Sequence, residues 1–230
     1  MYIGILGTGI VGQVMAQTLF ARGYSVQIGT RDVNSALGRM DTNATRYGEP
    51  FGRWHQQHPE IPVVTFREAA TFGEVFINAT NGMGSLAALE AAGDAALGGK
   101  IMLDIANPLD FSQGMLPTLS IKDTDSLAEV LQRRFPQLRV VKTLNTMNVM
   151  LMVNPASLHG GDHTVFVSGD DAAARAVVAN YLRGWFGWRE DRILDLGSLE
   201  TARGTEMLMP IWLRLFGVFG NAPFQFKVVS

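Results

Sequence analysis

Tyr2-Ile3-Gly4-Ile5-Leu6-Gly7-Thr8-Gly9-Ile10-Val11-Gly12 decides the fold: an apolar run of strand length leads straight into the spacing G-x-G-x-x-G, and a helical pattern follows. Each glycine has its own task in such a strand-turn-helix unit. Gly7 permits the tight turn off the strand, Gly9 lets the backbone approach a pyrophosphate, and Gly12 lets helix and strand pack closely, with the anion seated on the helix N-terminus. From Ile10 to Arg22 the side chains Ile10, Val11, Val14, Met15, Thr18 and Leu19 recur at helical spacing, and Gly23 supplies the stop. A glycine-rich turn alone is weak evidence; with a strand before it and a helix after it, the stretch points to a nicotinamide dinucleotide.

The second strand reads Tyr24-Ser25-Val26-Gln27-Ile28, and its tip is Gly29-Thr30-Arg31. An NAD site carries a carboxylate there, about twenty residues past the first glycine, to hold the ribose hydroxyls. A glycine, a hydroxyl and a guanidinium instead form a receptor for a 2′-phosphate, with Arg31 able to donate two parallel N–H bonds, so the cofactor is expected to be NADP. Asp32, one residue on, is read as an N-cap or a surface partner for the segment that follows.

At 230 residues, 47% hydrophobic and 17% charged, the chain has the material for a sizeable core without staples. The absence of cysteine excludes disulfides, thiolate catalysis and cysteine-held metals, and fits a reducing cytoplasm. Met1-Tyr2-Ile3 enters the first strand directly, so no signal peptide is expected. A net charge of −2 with no basic run argues against nucleic acid as a partner. The longest apolar stretch, Met207 to Gly220, is interrupted by Arg214 and falls short of the roughly twenty residues of a membrane span.

Farther along, Val33 to Glu60 is long and polar and is expected to form a helix or two and a loop over the adenosine side. Strand patterns resume at Ile61-Pro62-Val63-Val64-Thr65, Glu74 to Ala79, Lys100 to Ile105, Arg139 to Leu144 and His163 to Ser168. Helices are expected over Ser85 to Ala96, Ser126 to Arg134 and Asp171 to Arg183, the alternation of a parallel sheet. Ligands of such sheets sit beyond the carboxyl ends of the strands. There the chain has Thr80-Asn81-Gly82, Ala106-Asn107-Pro108 and Asn145-Thr146, which read as hydrogen-bonding walls for ribose and carboxamide. Asparagine also favours turns through local bonds, which is the competing reading for any one of them.

Other groupings read as structural. His159-Gly160-Gly161-Asp162-His163 is a glycine loop without a matching ligand cluster elsewhere, a poor metal site. Lys142 is expected to cap a neighbouring element or meet a carboxylate. Met207, Met209, Trp212 and Phe216 are assigned to packing first, and the tail through Phe219, Phe224 and Phe226 is too apolar to lie free in water.

Ile5 to Gly12, Gly29-Thr30-Arg31, Lys142-Thr143-Leu144-Asn145 and Val165-Phe166-Val167-Ser168-Gly169-Asp170-Asp171 together resemble the deazaflavin (coenzyme F-420) dependent NADP reductase family, and beyond it the NADPH domains of STEAP-type metalloreductases. The resemblance implies an α/β, Rossmann-type, doubly wound and mostly parallel sheet over residues 1–195, with a short helical elaboration over 196–230 that serves as dimer interface or active-site cover. It implies hydride transfer between NADPH and a deazaflavin or flavin ring in a cytoplasmic homodimer. Position by position, Gly7, Thr8, Gly9, Ile10, Val11 and Gly12 match the pyrophosphate loop, and Thr30 with Arg31 the 2′-phosphate site. Thr80, Asn107, Pro108 and Asn145 match the nicotinamide side more loosely, with Asn81 beside them. The insert from Asn34 to Pro62, the run Asn107 to Phe111 and Arg203-Gly204-Thr205-Glu206 do not map onto a deazaflavin pocket. A catalytic side chain is not required, because hydride passes directly between two rings and the protein supplies alignment. The alternative is a non-catalytic NADP-binding sensor or partner subunit, since the same site serves either.

Overall fold

β1 (Tyr2–Leu6) runs through the interior of an eight-stranded sheet in the computed structural model of the protein, which describes residues 1–42, 48–220 and 223–229. It is followed by α1 (Ile10–Ala21), β2 (Ser25–Thr30), α2 (Val33–Leu37), α3 (Phe51–Gln57), β3 (Val63–Thr65) and α4 (Phe66–Phe72). The chain continues through β4 (Val75–Asn78), α5 (Gly82–Ala92), α6 (Asp94–Leu97) and β5 (Ile101–Asp104), then a small antiparallel hairpin, β6 (Leu109–Asp110) with β7 (Thr118–Leu119). α7 (Leu127–Arg134), β8 (Arg139–Thr143), α8 (Val149–Val153), β9 (Val165–Ser168), α9 (Ala172–Tyr181), β10 (Ile193–Asp195), α10 (Ala202–Met207) and α11 (Met209–Val218) complete it.

The order across the sheet is β10-β9-β8-β5-β4-β1-β2-β3. Its six strands from β3 to β8 are parallel and follow the doubly wound order, which turns back between β1 and β4 and leaves a crevice at their carboxyl ends. β9 pairs antiparallel with β8, through Lys142 with Ser168 and Thr143 with Val167, and β10 runs parallel to β9. The last two strands are therefore reversed, and β10 is a strand the sequence pattern had not marked.

Alternation along the strands divides the core. Ile3 and Ile5 pack on one face with Met15, Ile28, Val141 and Trp185, whereas Leu6 packs on the other with Phe76, Leu89, Met102 and Leu131. A third, smaller cluster joins Leu119 of the hairpin to Met209 and Trp212, with Phe216, Phe224 and Phe226 against it. The tail is anchored there by its backbone: Phe226 accepts the N–H of Thr164 at 3.0 Å, and Val228 donates to Thr164 Oγ1 at 2.9 Å.

The expected helix from Ser85 to Ala96 is two helices, because Gly93 sits at φ +87° and its backbone leaves the helix there. The helix after Asp171 closes in a π turn, Leu182–Phe186, that stacks Trp185 on Tyr181 at 4.1 Å. Of the insert, α2 and α3 are described and residues 43–47 lie outside the described residues, as do 221–222 and 230 of the C-terminal segment. His163 is buried, 3.1 Å from the Pro155 carbonyl and edge-on to Trp188, a packing role. Among the described residues no helix is long and apolar enough to cross a membrane.

Candidate functional site

The glycine loop has the geometry of a dinucleotide cradle. Gly7 adopts φ +122°, and a Cβ there would stand 2.5 Å from the Ala79 carbonyl oxygen; a Cβ on Gly12 would stand 2.1 Å from that of Gly7. Both positions are closed to side chains. A Cβ on Gly9 meets nothing within 4 Å, so the loop is open on that side. Gly9 is also the N-cap of α1 and contributes no side-chain bond, which leaves the helix's first N–H groups for an anion. Ile10 and Val11 are half-buried at that first turn, and Gly48 of the insert lies directly against Ile10. Buried Gln13 ties the two together, donating through Nε2 to the carbonyls of Thr8 at 3.1 Å and Glu49 at 3.2 Å.

These contacts make Gly9→Ala diagnostic. Its methyl has room in the protein alone, so the melting temperature should stay within about 2 °C, in the range of a neutral substitution. If the pyrophosphate approaches over Gly9, NADPH affinity should fall about tenfold or more, roughly 1.4 kcal/mol, because the methyl would fill that open space. Calorimetric titration showing unchanged affinity would place the pyrophosphate elsewhere.

At the tip of β2, Thr30 is buried and Arg31 is exposed, its guanidinium free of hydrogen bonds and ion pairs among the described residues. Asp32 is the N-cap of α2 and accepts the Ser35 N–H at 2.9 Å, so its carboxylate is engaged locally. Arg39 brings a second guanidinium to the same end. It donates to the Thr8 hydroxyl and lies 5.6 Å over the Phe51 ring. Arg39 leaves no signal in the sequence, because it falls in an aperiodic polar stretch and its position depends on how the insert folds back.

The strand ends meet as an interlocked rim. Asn107 Nδ2 donates to the Asn145 carbonyl at 2.8 Å, and Asn145 Nδ2 donates to Asn107 Oδ1 at 2.9 Å. Leu144, buried and at φ +59°, makes the left-handed turn at the end of β8 that directly precedes Asn145. This conformation is strained for a bulky residue, and such strain is held by the surrounding structure. Thr80 Oγ1 donates to Asn78 Oδ1 at 2.7 Å and pairs with Ser85 Oγ at 2.7 Å. Asn81 turns to local use, accepting the Met83 N–H at 3.2 Å as the N-cap of α5, and the Pro108 carbonyl is taken by the Ser120 N–H at 2.8 Å.

Beneath the rim lies a charged cluster whose carboxylates the sequence reading did not identify. Lys142, 1% exposed, sits 2.9 Å from Asp104 Oδ2 and 2.7 Å from Glu206 Oε1, and donates to the Ala106 carbonyl. Asp104 Oδ1 accepts from Asn78 Nδ2 at 2.8 Å, and Glu206 Oε2 accepts the Leu127 N–H at 2.8 Å. Burial pulls the Lys142 ammonium down, but the charges of Asp104 and Glu206 outweigh it and hold the group above its ordinary range. Burial pushes the Glu206 carboxyl up, against the pull of Lys142. The expectation that Lys142 meets a carboxylate thus holds twice over.

Residues 2–108, which carry the glycine loop and the first five strands, match the model of the family described as NADP oxidoreductase, coenzyme F420-dependent. A crystal structure from Arthrobacter sp. FB24 that carries the name F420-dependent NADP-reductase is 50% identical, with 99% of each chain covered and a TM-score of 0.90. The metalloreductase STEAP3 of Rattus norvegicus is 28% identical over 220 residues; the match takes in 91% of this chain, which spans 37% of that curated relative's length. An imine reductase from Streptomyces aurantiacus shares the fold at 16% identity, with a TM-score of 0.59 over 96% of this chain and 62% of its own. Sharing half its residues end to end with a reductase of that name, and carrying its cradle inside the segment the family model matches, the chain belongs to the coenzyme F420-dependent NADP oxidoreductases.

Proposed function

We propose that the protein transfers hydride between NADPH and a planar ring acceptor, a deazaflavin of the coenzyme F420 class or a flavin. The observation that carries the acceptor class is the end-to-end relative at 50% identity, whose name couples F420 to NADP. NADPH, when bound, supplies the hydride from its nicotinamide ring. The chain's residues bind and align. Gly7, Thr8, Gly9, Ile10, Val11 and Gly12 hold the pyrophosphate, and Thr30 and Arg31 the 2′-phosphate, with Arg39 beside them. Thr80, Asn107 and Asn145 form the nicotinamide wall, and Asn81 and Pro108 support it by fixing α5 and the hairpin. Residues 1–195 serve as the cofactor domain. Residues 196–230 cover the acceptor, with Trp212 stacked 5.1 Å from Phe216 and 5.3 Å from Phe224 as its apolar body. The setting we infer is cytoplasmic, where NADPH is regenerated.

The test is NADPH oxidation with coenzyme F420, free flavins and ferric chelates offered separately. Turnover with a deazaflavin or flavin is expected. Turnover with simple aldehydes or keto acids alone would overturn the reading, and tight NADPH binding with no acceptor at all would replace it by the sensor. Asn145→Ala removes one side of the amide pair with Asn107, so kcat with the ring acceptor should fall about ten- to a hundredfold, the scale of a misplacement near 1 Å. The KM for NADPH should stay within about twofold, since the phosphate anchors are untouched; an equal loss in both would make Asn145 a binding residue only.

We also infer a homodimer joined through α11. Ile211 is 48% exposed, Val218 77% and Phe219 51%, and Ile211 and Val218 fall on one helical face. Light scattering should return twice the chain mass, and Ile211→Asp with Val218→Asp should return a monomer. A monomeric wild type would refute the assembly.

A further inference from the structure

We infer that Lys142, with Asp104 and Glu206, couples the nicotinamide end of the cofactor cleft to the C-terminal helices α10 and α11, so that occupancy of the strand ends fixes the cover. The inference rests on the NADP reading above and goes beyond it by assigning positioning residues that never touch the cofactor.

Three observations carry it. First, the cluster joins elements from three parts of the chain: Asp104 ends β5, Lys142 is the last residue but one of β8, and Glu206 belongs to α10. All three side chains are at most 1% exposed. Second, a chain of hydrogen bonds leads from the rim to the helix. Thr80 donates to Asn78 at 2.7 Å, Asn78 to Asp104 at 2.8 Å, and Lys142 bridges Asp104 at 2.9 Å and Glu206 at 2.7 Å. A second branch starts at Asn107, whose neighbour Ala106 gives its carbonyl to Lys142. Third, Glu206 also accepts the Leu127 N–H at the start of α7 at 2.8 Å, so the end of the relay is fixed at two points and cannot drift with α10 alone. α10 runs almost directly into α11, which carries Trp212 and Phe216.

Stability does not explain such a cluster. Buried ion clusters can often be replaced by well-packed apolar residues without loss of stability, and in some proteins they are kept for the defined arrangement they impose. Here the Ala106 carbonyl, one residue from Asn107 of the rim, is bonded to Lys142, so any displacement of that backbone would either carry Lys142 and Glu206 with it or break their bonds. Coupling through a packed polar network of this kind requires an element that both ends bias, and α10 with α11 is that element.

The experiment is hydrogen exchange by mass spectrometry on the full chain, with and without NADPH, for the wild type and Glu206→Gln. The glutamine keeps the shape but has no charge and only one acceptor oxygen, so it cannot serve both the Leu127 N–H and the Lys142 ammonium. Lys142→Met serves as a second variant where it folds. In the wild type, NADPH should slow exchange at residues 7–22 and also at 202–219. In Glu206→Gln the protection at 7–22 should remain, and that at 202–219 should shrink at least fivefold. In turnover with a ring acceptor, the variant's kcat should fall about tenfold with the KM for NADPH within twofold, the split expected of lost alignment. A merely stabilising role would lower the melting temperature and leave NADPH-dependent protection of 202–219 intact, which overturns the inference. Wild-type protection at 7–22 without any at 202–219 also overturns it and leaves the cofactor assignment standing. No protection at either segment overturns both.

Discussion

Arg31→Ala is expected to weaken NADPH binding by one to two decades and to leave NADH binding unchanged. The guanidinium lies exposed at the tip of β2 with no partner among the described residues, whereas the adjacent Asp32 carboxylate is committed to the Ser35 N–H. A charge-assisted bond to a phosphate contributes about 1.5–3 kcal/mol, which is the stated range of affinity. Arg39, held beside Thr8, keeps part of the positive field, so removing both arginines should cost more than removing Arg31. Raising salt should narrow the difference between wild type and variant, since the site is open to solvent. Calorimetric titration with both cofactors decides the matter: equal losses for NADPH and NADH would remove Arg31 from the 2′-phosphate.

Lys142→Met should lower the unfolding free energy by about 3–5 kcal/mol, the scale of leaving buried charges without their counterion. For a chain of this length that corresponds to a melting temperature roughly 6–20 °C lower. Asp104 and Glu206 would then lie together in a dry core, Asp104 keeping Asn78 and the Ala106 N–H, and Glu206 the Leu127 and Ala128 N–H groups. The effect has a defined pH window. The Lys142 pKa is raised above 10.5, so its stabilisation is fully present below that value and is lost as pH rises through the higher folded-state value. Urea midpoints should therefore separate wild type from variant widely at pH 8 and converge at strongly alkaline pH. A difference below about 1 kcal/mol at pH 8, within the range of an ordinary substitution, would show that the cluster reorganises freely.

What could be read in advance was what local chemistry dictates. The turn at Gly7, the open approach at Gly9 and the close packing of Gly12 on Gly7 all belong to one strand-turn-helix unit, though Gly7 is also closed to side chains by Ala79 from farther along the chain, and Arg31 is placed by the length of one strand-helix-strand unit. The asparagine rim was legible as strand ends, but the pairing of Asn107 with Asn145 was not, because it joins residues 38 apart. Lys142 announced a partner by being a cation in an apolar strand. Which carboxylates it meets depends on α10 docking from the far end of the chain. The reversal at β9 leaves no local mark either, since a buried strand shows the same apolar run in either direction. Gly93 broke a helix that its alanine-rich flanks made look continuous, because a residue that readily takes positive φ ends a helix as easily as it continues one.

The two outermost strands, β3 and β10, have three residues each, and Pro62 precedes β3 while Asp195, ion-paired to Arg175, ends β10. So short an edge offers few free backbone groups for another chain to zip onto, and charge at its end discourages the attempt. Edge-to-edge addition of one sheet to the next, a common route to aggregation, is thereby disfavoured at both flanks. Material that falls out of a concentrated stock should do so through helical contacts, and detergent or a mild chaotrope should bring it back.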